Sequence, residues 1–522
     1  MSEVVKLPTS WAWARVSDLL SGIETGKSFK CDERPPQHDE VGVVKVSAVS
    51  WGEYREQESK TCLDAERVNA ELYVQPGDFL FSRANTQELV GACVIAGQTK
   101  LRVMLSDKIL RFRFADDGMK PWLLGFLRSA DGRTQIELLA SGNQDSMRNI
   151  GQERIGQIHL PLPPRAEQAR IVAKLEELLS DLDAGVAELK AAQKKLAQYR
   201  QSLLKAAVEG ALTAAWRTQH QPTETGAQLL QRILQERRAR WEARQLAKFA
   251  EQGKTLPKDW QKKYPEPVQP DTTGLPELPQ GWVWASGEQL CEFITKGTTP
   301  PKELDPRGQK TIPFLRVTNL TDRGELDLSD GVFVSVETHR GFLARSAVYP
   351  NDVLMNIVGP PLGQVAVVPP TFAEWNINQA IAIFRAVEGV LPSFICRFLL
   401  SPVAQQWLKA RSKTTAGQTN LTLEVCRSLP FSLPPKDEQQ ALLGSIETAM
   451  KALASQEQAI DHALQQSTAQ RQNILRAAFS GQLVPQDPHD EPASVLLERI
   501  RAERAAQGAV KKPRGRKAKE AA

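Results

Sequence analysis

The hydrophobic residues between Pro163 and Gly210 recur at alternating steps of four and three positions. This spacing is the heptad pattern of a coiled coil, in which one apolar seam runs along a helix. Two prolines suit its first turn and Gly210 suits a left-handed C-cap, so we expect one helix about 67 Å long at 1.5 Å per residue. The seam consists of Ile171, Leu175, Leu178, Leu182, Leu189, Leu196 and Leu203, with Gly185, Ala192, Tyr199 and Ala206 at the intervening positions.

A second helix of the same kind is predicted from the repeat of this stretch. Pro434-Pro435-Lys436-Asp437-Glu438-Gln439 matches Pro163-Pro164-Arg165-Ala166-Glu167-Gln168. The hydrophobic residues Ile446, Leu453, Ile460 and Ile474 stand where the first helix has Leu175, Leu182, Leu189 and Leu203. Each helix alone could be a solvated amphipathic helix, but two in the same register favour a pair. Polar Gln456, Ser467 and Gln470 make the second seam the weaker one.

The segments before the two helices are also copies of each other. Leu7-Pro8-Thr9-Ser10-Trp11-Ala12-Trp13 matches Leu278-Pro279-Gln280-Gly281-Trp282-Val283-Trp284, and Leu160 to Pro164 matches Phe431 to Pro435. The chain is therefore predicted to be a tandem duplication of a globular block followed by a long helix. We call residues 7–163 the first block and residues 276–434 the second block.

Short β-branched and aromatic runs bounded by glycine, proline and asparagine predict that each block is a mixed α+β domain. A helix is expected near the end of each block, at residues 121–130 and 393–409. Polar, glycine-containing loops are expected after these helices, at residues 141–148 and 415–420. Such loops suit contacts with base edges, although ordinary surface turns have the same composition.

Charge and cysteine content narrow the possible functions. The 522 residues carry a formal charge of +5, with basic residues concentrated at 232–263 and 511–519. Six scattered cysteines and six scattered histidines support neither a zinc site nor a disulfide framework, which fits a reducing cytoplasm. With no long apolar run and no signal peptide at Met1, a soluble protein without membrane contact is expected.

The sequence contains no recognisable catalytic motif. Gly22-Ile23-Glu24-Thr25-Gly26-Lys27-Ser28 resembles a P-loop, but three residues rather than four separate its glycines. Gly359-Pro360-Pro361-Leu362 lacks the flanking residues of an amino-methyltransferase motif. We therefore predict no catalytic residues and no metal ligands in this chain.

The duplication, the two long helices, the Leu160 to Gln168 entry motif and the Leu275 to Trp282 opening resemble the specificity subunits of type I restriction-modification systems. The resemblance covers nearly the whole chain. It implies an α+β protein with two globular target-recognition domains, related by pseudo-twofold symmetry and separated by an antiparallel coiled coil of two long helices. It also implies recognition of a split, asymmetric site in double-stranded DNA.

The resemblance further implies which chemistry lies in other proteins. Two modification methyltransferase subunits and the restriction subunits are the expected partners, and they would use S-adenosylmethionine, ATP and Mg²⁺. The expected domain boundaries are target-recognition domain 1 at 1–163, long helix 1 at 164–211, a basic helix and Pro-rich linker at 212–275, target-recognition domain 2 at 276–434, long helix 2 at 435–482, and a helix with a basic disordered tail at 483–522.

Residues that contact DNA are predicted from physical chemistry, because the resemblance transfers none of them by motif. Arginine forks onto guanine, asparagine and glutamine suit adenine, and lysine or hydroxyl groups suit phosphate. The predicted contacts are Lys27, Ser28, Arg83, Asn85, Gln144 and Arg148 in the first block, and Lys296, Thr298, Asn356, Gln418 and Asn420 in the second. Arg237, Arg238, Arg240 and Arg244 are expected to contact the DNA backbone or an acidic partner.

Two other classes of protein remain open from the residues alone. A coiled-coil scaffold that binds only proteins would lack the paired polar loops, and a stand-alone nuclease would need metal-binding carboxylates. Gel-shift assays with and without methyltransferase subunits separate the first class from the chosen interpretation. Metal-dependent cleavage by the purified chain would indicate the second.

Overall fold

The computed structural model describes residues 7–50, 52–144, 147–300, 312–415 and 417–510. They form two compact units. Unit 1 comprises Met1–Lys190 and Asp461–Ala522, and unit 2 comprises Ala191–Ile460. Each unit therefore contains one block together with parts of both long helices. The predicted basic tail at 511–522 lies outside the described residues.

The first block is built from short strands and short helices, as its sequence pattern predicts. Its strands are β1 (Ala12–Arg15), β2 (Leu20–Thr25), β3 (Val41–Val44), β4 (Ser59–Thr61), β5 (Phe79–Ser82), β6 (Ala84–Asn85), β7 (Cys93–Ile95), β8 (Arg102–Met104), β9 (Ile109–Phe114), β10 (Ser141–Gln144), β11 (Met147–Asn149) and β12 (His159–Leu162). Its helices are α1 (Val16–Leu19), α2 (Ser47–Ser50), α3 (Lys120–Arg128), α4 (Ala130–Leu139) and α5 (Gln152–Gly156).

Three further helices follow along the chain before the second block. They are α6 (Arg165–Val208), α7 (Ala214–Gln219) and α8 (Gly226–Glu251). α6 is the first long helix. α8 begins with a capping box in which Thr225 and Gln228 satisfy each other's backbone N–H groups.

The second block and the C-terminal region repeat this plan. Their strands are β13 (Val283–Ser286), β14 (Cys291–Lys296), β15 (Ile312–Leu315), β16 (Val332–Val334), β17 (Val353–Asn356), β18 (Val358–Gly359), β19 (Val365–Val367), β20 (Asn376–Ile377), β21 (Ile381–Ala386), β22 (Lys413–Thr415), β23 (Gln418–Asn420) and β24 (Pro430–Leu433). Their helices are α9 (Gly287–Leu290), α10 (Val336–Arg340), α11 (Pro392–Leu399), α12 (Pro402–Arg411), α13 (Leu423–Ser428), α14 (Lys436–Phe479) and α15 (Ala493–Val510).

The two blocks have the same sheet topology. Each has a four-stranded antiparallel sheet, ordered β2-β9-β5-β7 in the first block and β14-β21-β17-β19 in the second. Each also has two three-stranded sheets, β4-β3-β8 and β10-β11-β6 against β16-β15-β20 and β18-β23-β22. The pairs β1-β12 and β13-β24 close each block by joining its start to the strand before the long helix. This agreement is the structural counterpart of the sequence duplication.

Two local expectations differ from the structure. Among the residues expected as polar loops at 141–148 and 415–420, those that the structure describes lie mostly in the paired strands β10–β11 and β22–β23, and residues 145, 146 and 416 lie outside the described ranges. The helix expected at 393–409 is divided into α11 and α12. Ser401 caps the second of these helices, and Pro402 occupies its first turn, where a proline starts a new helix because it has no N–H to continue the old one.

The long helices run antiparallel within each unit. In unit 1, Ile171 and Leu175 near the start of α6 share a core with Ile474 and Phe479 near the end of α14. In unit 2, Leu204 and Val208 at the end of α6 share a core with Leu442 and Ile446 at the start of α14. Start meets end in both units, which is the pairing that the resemblance implies.

Burial along the predicted seam is uneven. The buried seam residues are Ile171, Leu175, Leu203, Ile446 and Leu453, of which all but Leu453 lie near a helix end. The remaining seam residues are partly exposed, namely Leu178, Leu182, Leu189, Leu196, Ile460 and Ile474. Tyr199, an intervening seam position, is 55% exposed, while the neighbouring Arg200 forms a half-buried ion pair with Glu457 at 2.5 Å. Two helices alone cover each other less completely than a helix end packed on a block.

The repeated motifs explain how each long helix is anchored to its block. In unit 1 the indole N–H of Trp11 donates to the buried carboxylate of Glu167 at 3.0 Å. In unit 2 the indole N–H of Trp282 donates to the buried carboxylate of Glu438 at 2.8 Å. The tryptophan of the opening motif and the glutamate of the helix-entry motif are therefore hydrogen-bonding partners.

Candidate nucleic-acid interface

One edge of the four-stranded sheet in the first block gathers several predicted contact residues. β2 ends at Thr25 opposite Leu110, and β5 ends at Ser82 opposite Ile109, so both strands finish at the edge where β9 begins. We call the residues just beyond this edge the first loop edge. They are Lys27, Ser28, Arg83, Asp107 and Lys108.

Gly26 sets the path of the chain at this edge. A Cβ atom at Gly26 would lie 1.8 Å from the carbonyl oxygen of Leu105, so only glycine fits. Gly297 has the same role in the second block, where a Cβ atom would lie 2.2 Å from the carbonyl oxygens of Ile377 and Asn378. Gly26, the second glycine of the P-loop-like stretch, is thus required by close contact with the segment after β8, whereas a Cβ atom at Gly22 would meet nothing within 4 Å. The following side chains project beyond the sheet.

The first loop edge carries more positive than negative charge. Lys27 and Lys108 are exposed, and Arg83 is half-buried. Among the described residues, none of these three cations has an ion-pair partner within 4.0 Å. The hydroxyl of Ser28 instead donates to Asp107, which occupies that carboxylate within the loop edge. The sequence alone did not predict Lys108 as a contact residue, because only the strand pairing places it beside Lys27 and Arg83.

A buried ion network supports the strands behind this edge. The guanidinium of Arg111 on β9 donates to Asp78 at 2.9 Å and to Glu24 on β2 at 2.7 Å. Burial by itself raises the pKa of the Glu24 carboxyl, but hydrogen bonds from Arg113 and Arg111 outweigh burial and leave that pKa below its usual value. Glu24 therefore stays ionised and holds both guanidiniums.

The small sheet β10-β11-β6 brings three more predicted residues of the first block together. Arg148 on β11 lies opposite Asn85 on β6, and Gln144 on β10 lies opposite Met147. The guanidinium of Arg148 donates to the carbonyl oxygens of Gly142 and Ala140, and the amide of Asn85 donates to Ser50 at 3.0 Å. Both side chains already brace this sheet, and the side chain of Gln144 is outside what the structure describes.

The second block has an equivalent edge with different side chains. β14 ends at Lys296 and is followed by Thr298, whose hydroxyl accepts a hydrogen bond from the exposed Arg345 at 3.1 Å. The hydroxyl of Thr299 donates to Gln379, which lies two residues before β21 as Asp107 lies two residues before β9. We call Lys296, Thr298, Arg345 and Gln379 the second loop edge. The sequence alone did not predict Arg345 either, because it reaches this edge from a turn that is far away along the chain.

Three predicted residues of the second block lie on or beside its small sheet. Gln418 is exposed at the start of β23, and Asn420 at its end is half-buried and lies opposite Val358. Asn356 differs from its prediction. Its side chain is fully buried, and its amide donates to Pro361 at 2.5 Å and accepts from Val358 at 3.0 Å. Asn356 therefore shapes the 356–361 turn and has no exposed atom with which to reach a base.

The basic helix α8 also differs in part from its prediction. Its first two turns are buried through Leu229 and Ile233, and Arg237 donates to the carbonyl oxygens of Glu288 and Cys291. Arg237 is thus used within unit 2. Arg238 pairs with Glu242 at 3.2 Å and Arg240 with Glu292 at 3.1 Å, whereas Arg244 is exposed and has no ion-pair partner within 4.0 Å among the described residues.

Other features of the described residues complete the picture. No group of three or more His, Cys, Asp or Glu side chains suited to a metal ion occurs in the ranges that the structure covers. Within the same ranges, no helix is long and apolar enough to cross a membrane. Exposed cations, amides and hydroxyls at a strand edge can bind phosphate oxygens and base edges.

Comparisons with known proteins agree with this architecture. Residues 279–462 match the family model described as type I restriction modification DNA specificity domain. The EcoBI specificity subunit of Escherichia coli is 26% identical over 96% of this chain and 94% of its own length. The EcoEI specificity subunit of Escherichia coli is 31% identical, over 39% of this chain and 34% of its own length.

A solved structure shares the fold. A chain from a study of complex assembly in a type I restriction-modification system aligns over 92% of this chain and all of its own length, with 16% identity and a TM-score of 0.59. The repeated α+β blocks, the paired long helices and these matches lead to one assignment. In sequence and in fold the chain is similar to the specificity subunits of type I restriction-modification systems, and residues 279–462 match their DNA specificity domain.

Proposed function

We propose that this chain reads a split, asymmetric site in double-stranded DNA, with one block contacting each half. The observation that carries the proposal is the loop edge, because the same sheet edge recurs in both blocks with different side chains. The first loop edge offers Lys27, Arg83 and Lys108, whereas the second offers Lys296 and Arg345. Identical folds with different edge chemistry are what two unlike half-sites require.

Roles within the first loop edge follow from the chemistry of each side chain. Lys27 and Lys108 are flexible point charges, so we assign them to phosphate contacts. Arg83 is half-buried and its backbone is fixed on both sides, by a bond from its N–H to Lys108 and by one from Ile150 to its carbonyl, each 2.9 Å long. A guanidinium held on so fixed a backbone is suited to a bidentate contact with guanine.

The long helices are proposed as the docking surface for two methyltransferase subunits and for restriction subunits. The partly exposed seam residues Leu182, Leu189 and Leu196, with the exposed ring of Tyr199, provide apolar surface along α6. S-adenosylmethionine, ATP and Mg²⁺ would be used by those subunits. This chain would supply recognition and spacing, and no catalytic group.

The test measures DNA binding by the full chain with its methyltransferase subunits, over a range of salt concentrations. Lys27→Gln and Lys108→Gln should each weaken binding to matched and mismatched DNA alike and reduce the salt slope by about 1. Arg83→Gln should cost about 1–3 kcal/mol on the matched site and relax the preference at one base pair.

Lys100→Gln is the matched control. Lys100 is exposed in the same block, but it follows β7, which ends opposite Phe79 at the other edge of the sheet. It should leave affinity and salt slope unchanged. Equal losses for Lys100→Gln and Lys27→Gln, or unaltered methylated sequences with Arg83→Gln, would contradict the assignment of this edge.

A further inference from the structure

Two cysteines that are far apart in the sequence lie opposite each other in the first block. Asp32 and Thr61 exchange both of their backbone hydrogen bonds, each 2.9 Å long, as an isolated antiparallel bridge. In an antiparallel ladder, the residues one step away from such a pair face each other without hydrogen bonds and lie closer together. Cys31 and Cys62 are the facing residues on one side of the bridge.

The other side of the bridge shows that this register is maintained. Glu33 and Lys60 are the facing residues there, and their side chains form an ion pair at 2.6 Å. The two thiols are also close enough to interact electrostatically. Burial raises the pKa of the Cys31 thiol, and the nearby Cys62 sulfur raises it further. Facing pairs of this kind have Cα atoms about 4.5 Å apart, inside the range that a disulfide requires.

Accessibility separates this pair from the other cysteines. Cys31 and Cys62 are half-buried, whereas Cys93, Cys291, Cys396 and Cys426 are buried. Burial raises the pKa of Cys93 to about 11 and those of Cys396 and Cys426 to about 12, which suppresses their thiolates. A small thiol reagent therefore reaches Cys31 and Cys62 first.

We propose that Cys31 and Cys62 form a reversible thiol–disulfide modification site that reacts with small disulfides such as glutathione disulfide. One cysteine thiolate attacks glutathione disulfide, forming a mixed disulfide and releasing one glutathione thiolate. The second cysteine thiolate then attacks the mixed disulfide and releases the other. In total the two protein thiols lose two electrons and two protons, and one glutathione disulfide becomes two glutathione thiols.

The bond would tether the loop that follows β2. This loop carries Lys27 and Ser28 of the first loop edge and is joined to Thr61 at the end of β4 through Asp32. A second, covalent link at Cys31 would restrict the loop in its present register. The consequence for DNA rests on the proposed function: a loop ordered in advance loses less conformational freedom on binding, so the oxidised chain should bind several-fold more tightly.

The first part of the test needs no DNA. The purified full chain is equilibrated with glutathione disulfide, its free thiols are alkylated, and its peptides are analysed by mass spectrometry without reduction. A linked peptide joining Cys31 to Cys62, with a loss of two hydrogen atoms that dithiothreitol reverses, is expected. No linked peptide, or glutathione left separately on each cysteine, would overturn the proposal.

Single variants provide the matched controls. Cys31→Ser should retain glutathione on Cys62 as a stable mixed disulfide, and Cys62→Ser should retain it on Cys31, because the second attack is impossible in both. DNA affinity is then compared between oxidised and reduced wild-type chain. Equal affinity of the linked and reduced forms would refute the effect on the loop. If neither form binds DNA, the proposed function fails while the linked-peptide result stands.

Discussion

The two units use one design to join a block to a long helix, but they complete it with different chemistry. In unit 2, the guanidinium of Arg217 forms an ion pair with the Glu438 carboxylate. It also donates a hydrogen bond to the carbonyl oxygen of Gly210 at 2.6 Å. In unit 1, the amide of Gln486 occupies the corresponding place, donating to Glu167 at 2.6 Å and to Gly481 at 3.3 Å. Tryptophan, glutamate and the helix-ending glycine are kept, whereas the cross-linking side chain differs and Thr213 adds a donor to Glu438 in unit 2.

This difference separates what the duplication fixes from what each copy can change. The backbone path and the glutamate are set by packing, because both carboxylates are buried beside a tryptophan. The neighbour that balances the charge is free to vary, and it is a cation in one unit and a neutral amide in the other. The two junctions should therefore share geometry but differ in electrostatics.

A further difference concerns the helix that covers each block. In unit 2, α8 begins with the Gly226 N–H donating to Gly281 at 2.7 Å, and in unit 1, α15 begins with the Ala493 N–H donating to Ser10 at 3.0 Å. A Cβ atom at Gly226 would lie 2.4 Å from the carbonyl oxygen of Leu433. Unit 1 accepts an alanine at this position, whereas unit 2 requires a glycine.

The largest expected effect comes from dividing the chain between its copies. A fragment of residues 1–264 has a block, one long helix and α8, so two copies can supply each other's missing helices. In this dimer α8, which begins at Gly226, takes the place that α15 and its Ala493 have in the intact chain. A glycine fits at that place because it is smaller than alanine. We expect the fragment to dimerise and, with methyltransferase subunits, to direct methylation of an inverted repeat of one half-site.

The complementary fragment, residues 265–522, is the control. It would have to place Ala493 where unit 2 requires Gly226, and its seam contains polar Gln456, Ser467 and Gln470. It should assemble less well, and Ala493→Gly should improve it. Sedimentation measures assembly, and methylated-site mapping reads the target. Equal assembly of both fragments, or methylation of the natural asymmetric site by the first, would contradict this account.

The second prediction tests whether the two helix–block junctions contribute similarly to the free energy of unfolding. Leu175 and Ile446 stand at equivalent places and are both buried, so Leu175→Asp and Ile446→Asp should each cost about 3–5 kcal/mol through an unpaired buried charge. Leu182→Asp, at a partly exposed position, should cost less. Urea unfolding gives the order. A larger effect at Leu182 would mean that the middle of the seam, rather than its ends, bears the load.

The third prediction concerns the cross-linking side chain itself. Arg217→Met leaves the buried Glu438 carboxylate without its cation and should cost about 3 kcal/mol, although Trp282 and Thr213 still donate to it. Gln486→Met removes a neutral donor from Glu167 and should cost about 1 kcal/mol. Thermal unfolding of the two variants compares them directly. Equal losses would show that the positive charge of Arg217 contributes nothing beyond a hydrogen bond.

The large elements of this fold were predictable because they depend on repeated, periodic features. The heptads of α6 and the prolines before it indicate a long helix wherever the chain is placed. The repeat of Trp11 and Glu167 as Trp282 and Glu438 showed that both residues matter. It did not show that they contact each other, because a repeat does not indicate which of its shared residues are neighbours in space.

The site was harder to predict, for reasons that differ between residues. The β10–β11 hairpin has polar residues on both faces, so it lacks the alternation by which a strand is recognised. Lys108 and Arg345 join their edges only through strand pairing and a distant turn. Asn356 has the composition of a contact residue, but its amide is needed by its own turn. Which predicted residues touch DNA stays a prediction.

The smallest expected effect distinguishes the two glutamates by pH. Burial raises the pKa of Glu167 above its usual value, and the hydrogen bonds from Trp11 and Gln486 offset only part of this shift. A raised folded-state pKa means that folding favours the protonated form. The contribution of Glu167 to stability is therefore fully present below its unfolded pKa, about 4.3, and is lost as pH rises through the raised folded value.

Glu167→Gln should remove this pH dependence. Subtracting the variant's unfolding free energy from that of the wild type, measured in urea at a series of pH values, cancels the other carboxylates. The difference should fall from about pH 4 upwards and level off near neutrality. There the unfolding free energies of the variant and the wild type should agree within about 1 kcal/mol. Glu438→Gln should instead destabilise unit 2 at neutral pH, because Arg217 loses its counter-charge. If the difference for Glu167→Gln rises with pH instead, the fold stabilises the ionised Glu167 carboxylate. The neutral amide of Gln486 would then stabilise that charge as well as Arg217 does in unit 2.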